Sequence, residues 1–115
     1  MYVSLNELRH RVKILRPITE EDGAGNLIRT DEKEVAVVWA KVLPYAAKIS
    51  DGYMEKVDEV KYRIVIRWRD DVEVTDEIAW RSHRFIQTAP AYDLRSNRQY
   101  LVFEVRELVE DGKTL

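Results

Sequence analysis

An all-β fold of antiparallel strands is predicted by three features of the chain. Apolar residues recur at every second position in several segments, a period that places them on one face of a strand. Turn-forming residues cluster between those segments, and only one short stretch carries a helix-start signal. The chain has 115 residues, 45% hydrophobic and 35% charged, which suits one domain over residues 1–115 with a single core.

The elements follow in order. In "SLNELRH", Ser4 and Glu7 have the spacing of a capping box, but the segment is long enough for only a short helical turn, predicted to cover one end of the core. In "HRVKILRP", Val12 and Ile14 share one face, Arg11, Lys13 and Leu15 share the other, and Pro17 ends or edges the strand. Gly23, Gly25 and Asn26 tolerate positive φ, so "EDGAGNLIRTDEKE" is predicted to turn the chain into a hairpin. "VAVVWAKVLPY" is a partly continuous apolar run, expected to be a central strand with Trp39 as an anchor.

The clearest alternation is in "VKYRIVIRW", where Val60, Tyr62, Ile64, Ile66 and Trp68 form a core face and Lys61, Arg63, Val65 and Arg67 a mostly basic one. "EIAWRSHRFIQTA" is expected to be a hairpin turning at Ser82 and His83. "RQYLVFEVREL" is a strand long enough to pair across most of a sheet, and the polar tail 109–115 is predicted to fray. The stretch from Pro44 to Glu59 separates two strong strands and exceeds an ordinary connection, which makes it the most informative loop in the chain.

Composition excludes several function classes. The chain has no cysteine, so a disulfide framework and a thiolate metal site are absent, as expected for a reducing compartment. No apolar run approaches a membrane span, and the N-terminus lacks the pattern of a signal peptide, so residence in the cytoplasm where the chain is made is expected. The usual metal, nucleotide and nucleophile motifs do not occur, and no catalytic, cofactor or metal-binding residue is assigned. The acidic clusters "DEVK", "RDD" and "TDE" are read as solvated turn residues, and His83 as a solvent-facing turn residue. His10 lies between Arg9 and Arg11, which oppose its protonation.

A single-stranded nucleic-acid-binding barrel, like an oligonucleotide-binding fold, is the main alternative to a structural role, because tryptophans and arginines are interleaved. A stacking platform needs both on one exposed face, whereas the alternation places Tyr62 and Trp68 with Ile64 and Ile66, away from the arginines. The formal net charge of −2 also removes the phosphate attraction of a dedicated binder.

"LRHRVKILRP", "VWAKVLP", "YRIVIRWRDDVEVTDEIAW", "HRFIQTA" and "LVFEVREL", in that order and with these gaps, resemble the head-tail joining proteins of tailed bacteriophages. Ser82 departs from the family, which usually has glycine in that turn. The resemblance implies a small antiparallel β-barrel of about six strands with a long loop between the second and third main strands. It implies a non-enzymatic connector component, adaptor or stopper, that forms a homo-oligomeric ring below the portal, closes the DNA-filled head and attaches the tail. Its implied partners are the portal or an upstream connector protein, a tail completion protein, further copies of itself, and double-stranded DNA that passes without tight binding.

In that family the long loop projects toward the channel or a neighbouring subunit. Here the resemblance assigns that role to Ala46, Ala47, Lys48, Ile49, Asp51, Tyr53, Met54, Glu55 and Lys56. Arg11, Lys13, Arg63 and Arg67 are candidate inter-subunit charges, since a head-to-tail interface needs two complementary surfaces.

Overall fold

A computed structural model describes residues 3–45 and 61–108, with the side chain of Tyr45 excepted. Its strands are β1 (His10–Glu21), β2 (Leu27–Tyr45), β3 (Lys61–Arg67), β4 (Glu77–Trp80), β5 (His83–Gln87), β6 (Tyr92–Asp93) and β7 (Tyr100–Glu107). They form one antiparallel sheet in the order β3-β2-β1-β4-β5-β7-β6, and β3 also pairs with β7. That extra pairing closes six of the strands into a small barrel-like ring, as the family resemblance implies. Closure leaves only a few strand edges open.

Closure follows from alternation. Val12, Ile14, Ala40, Ile64, Ile66, Ile78, Phe85, Leu101, Phe103 and Val105 point inward and form the core. Tyr62 packs on Phe85 with ring centroids 4.8 Å apart, in a tilted arrangement. Trp68, one residue past β3, packs against this core only in part.

Val65 departs from its expected place on an exposed basic face. It is fully buried in a second cluster with Val3, Leu8 and Val102, so β3 is covered on both sides. The cover is the N-terminal segment, a single 3-10 turn at Leu5–Glu7, and it holds the capping box that the sequence suggests: the Ser4 backbone N–H donates to Glu7 Oε2 at 2.9 Å.

β1 and β2 are far longer than the ring requires. β4 pairs with β1 only at Lys13–Leu15, and β3 pairs with β2 only at Ala40–Tyr45. Beyond those limits the two strands pair only with each other, from Arg16↔Lys33 out to Glu21↔Leu27, and form a two-stranded arm. At its tip Asp22 accepts backbone N–H bonds from Ala24 (2.8 Å) and Asn26 (3.1 Å), while Gly23 and Gly25 take φ of 85° and 88°. A free ribbon of this kind is only marginally stable in water. Here its base is pinned.

Two sets of ion pairs do the pinning. Arg16 donates from Nε and Nη2 to the buried Asp76 carboxylate at 2.7 and 2.9 Å. Arg29 from the arm and Arg84 from β5 each bond both Glu32 and Glu77, which makes an alternating square of two cations and two anions. The square lies on the same face as Leu15, the cross-strand partner of Glu77, and Leu15 is buried.

Candidate assembly surface

The outward faces of β1, β2 and β3 at the end opposite the arm carry the most distinctive exposed chemistry. Ala40 is the small inward residue of β2, so its neighbours in the strand, Trp39 and Lys41, face out. Trp39 is 50% exposed. The anchor expected from the apolar run therefore lies on the outer surface. Its cross-strand partner is Arg11, whose guanidinium sits 4.7 Å from the ring centroid in cation–π contact.

Lys13 faces Val37 on the same surface and lies 3.8 Å from Glu34. Beside Trp39, the residues Leu5, Leu8 and Arg67 complete a hollow of about 290 Å³. Leu5 is exposed, and Arg67 forms no ion pair with another described residue. Glu7 is held down beside this hollow by Lys41. The Lys41 ammonium and the Ser4 hydrogen bonds hold its carboxyl near a pKa of about 2, against an ordinary 4.5. The strip thus presents Trp39, Leu5, Arg11 and Arg67, while the Glu7 carboxylate of the adjoining 3-10 turn is paired with Lys41. An exposed tryptophan flanked by arginines has the composition of an interface anchor.

The four candidate charges separate into two groups. Arg11 and Arg67 flank Trp39. Lys13 is matched with Glu34, and Arg63 reaches across to its register partner on β7, Glu104, at 2.8 Å. Tyr92 donates to the same carboxylate at 3.0 Å. The loop residues Ala46, Ala47, Lys48, Ile49, Asp51, Tyr53, Met54, Glu55 and Lys56 lie outside the described residues, as do Asp58, Glu59 and the tail 109–115.

Three of the carboxylates read as solvated turn residues, Asp71, Asp76 and Glu77, are held in ion pairs. Asp76 is buried, not solvated in a turn, because Arg16 and the Glu73 backbone N–H (2.9 Å) satisfy its carboxylate. Asp71 is paired with Arg69 at 2.7 Å, and this bond holds its carboxyl below the usual range. Among the described residues no group of three or more acidic or histidine side chains is placed to hold a metal ion, and no helix is long and apolar enough to cross a membrane.

His83 also departs from expectation. The tight turn falls at Arg81 and Ser82, with Arg81 at a φ of 56°, and His83 is the first residue of β5, opposite Trp80. Its ring stacks on Trp80 at 5.5 Å, and its Nδ1 lies 2.6 Å from Glu107 Oε2. His10 meets the edge of the same indole at 5.0 Å. One signal in the sequence marks Trp39: it shares strand parity with Val37 and Lys41 and opposes the small Ala40.

The fold is similar to solved ones. A solution structure of a protein from Shigella flexneri 2a has a TM-score of 0.66 at 24% identity, covering 96% of this chain and 100% of that one. A chain from the virion of a native gene transfer agent particle has a TM-score of 0.71 at 20% identity, covering 90% of this chain and 97% of that one. No curated protein matches the sequence. The family model of the phage head completion proteins matches residues 3–108, which takes in the whole of the described ring, its arm and its N-terminal cover, and the chain belongs to that family.

Proposed function

We propose that this chain is a structural, non-enzymatic component of the head-tail connector of a phage or prophage. Its single domain assembles with further copies as a ring below the portal, closes the DNA-filled head and provides the attachment for the tail. The portal or an upstream connector protein lies above it and a tail completion protein below. The chain is made in the host cytoplasm and ends in the virion. The match to the head completion family over residues 3–108 carries this reading. A similar fold in the virion of a gene transfer agent is consistent with it. Of the loop expected from Pro44 to Glu59, Pro44 and Tyr45 belong to β2, and the remainder, 46–59, is the part that reaches the channel or the next subunit.

Removing the chain from a producing strain tests the proposal. Electron microscopy is expected to show heads that have packaged DNA but lack tails, or that have lost their genome. Normal tailed particles from that strain would overturn it.

One observation favours the nucleic-acid alternative: Arg11 and Trp39 do share an exposed face. A single exposed indole is a poor stacking platform, and a formal net charge of −2 gives little counterion release. Mobility shifts at physiological salt are expected to show weak binding to duplex and single strands, with dissociation constants no tighter than about 1 μM. Nanomolar binding would move the assignment to a nucleic-acid-binding barrel.

A further inference from the structure

We infer that the β1–β2 arm of one copy docks on the Trp39 strip of a second copy, and that this contact repeats around the assembly. The inference rests on the ring proposed above and names the two surfaces that would build it.

The arm is an exposed apolar element on an acidic background. Leu27 is 72% exposed, with Ile28 and Ile18 also open to solvent. Residues 18–34 carry six carboxylates against Arg29 and Lys33, and Arg29 is already engaged in the square at the arm's base. Ile28 pairs with Glu20 and Leu27 with Glu21, so each apolar tip residue has a carboxylate beside it on its own face. A surface that fits the arm must be apolar and basic.

The Trp39 strip has that character. Its hollow between Leu5, Leu8, Trp39 and Arg67 is open to an aliphatic side chain, and Arg11 and Arg67 stand beside it for Glu20 and Glu21. The arm cannot reach the strip of its own chain, because both lie on the same continuous strand pair. Ten residues separate Arg11 from Glu21, which at about 3.3 Å per residue is about 33 Å of extended chain. Two complementary surfaces at opposite ends of one molecule make a heterologous, head-to-tail contact, which generates a ring when its rotation closes. Phosphate is a poor occupant of the arm, whose carboxylates repel it.

The absence of native cysteine allows a direct test. Leu5→Cys on the strip is combined with Ile28→Cys or Leu27→Cys on the arm, and purified particles are treated with a bismaleimide. The expected result is a ladder of covalent multimers from the double variants and no ladder from the single ones. Complete, tailed particles that contain a double variant but give no ladder with either arm position would overturn the docking and leave the connector reading intact. Complete particles formed without the chain would remove both.

Charge reversal supplies a second readout. Either Glu20→Lys with Glu21→Lys, or Arg11→Glu with Arg67→Glu, is expected to lower the yield of complete particles about tenfold or more. All four changes together are expected to restore it. Full yield from either half, or no restoration in the combined chain, would overturn the pairing.

Discussion

Ile64→Ala is expected to destabilise the protein by roughly 2–5 kcal/mol, while Arg63→Ala, one residue away, is expected to cost less than about 1 kcal/mol. Ile64 is fully buried on β3 and stands between Val42 of β2 and Phe103 of β7. It therefore sits where the sheet closes on itself, and the void left by its truncation has no flexible wall to collapse into. Arg63 is partly exposed, and its pairing with Glu104 is a contact near the surface, where an ion pair contributes little. Since a domain of this size is stable by only about 5–15 kcal/mol, the first change removes a large share of the total. Denaturant titration checks it through the midpoint at unchanged slope. Equal, small losses at both positions would mean that β3 does not close the sheet in this register.

Replacing residues 47–56 with a short Gly-Ser linker is expected to leave the fold intact and abolish head completion. Tyr45 and Lys61 are cross-strand partners, so the ends of this connection are already adjacent and a short bridge spans them without pulling β2 from β3. On the proposed reading the loop contributes to assembly, through Ala46, Ala47, Ile49, Tyr53 and Met54, and not to the fold. Thermal melts should match those of the parent chain, while particles should fail to join tails or leak DNA. Loss of folding would place the loop in the core. Normal infectious particles would remove it from the working surface.

The strand pattern was readable because alternation is a local property. Val12 and Ile14, or Ile64 and Ile66, declare one face with no knowledge of their neighbours. Val65 was not readable, because its cover is a segment some sixty residues earlier that packs on the outside of the closed sheet. Trp39 was misplaced for the opposite reason: hydrophobicity argued for the interior, but the small Ala40 beside it takes the inward position. Asp76 looked like a turn residue until Arg16, sixty positions away, came to lie against it. Of the candidate surface, Arg11 and Arg67 were picked out from the sequence, and the indole between them was not.

The arm has one more consequence, for how it must meet a partner. Both of its strands are open edges, and an open edge ordinarily invites another strand to add on. This one is a poor template. Pro17 offers no backbone N–H, the register slips between Ile18 and Thr19, and Glu20, Glu21, Asp31 and Lys33 line the ribbon with charge. Backbone pairing with a stray chain is discouraged at almost every step. What the arm can still offer is its side chains, and those discriminate between partners where a bare backbone edge does not.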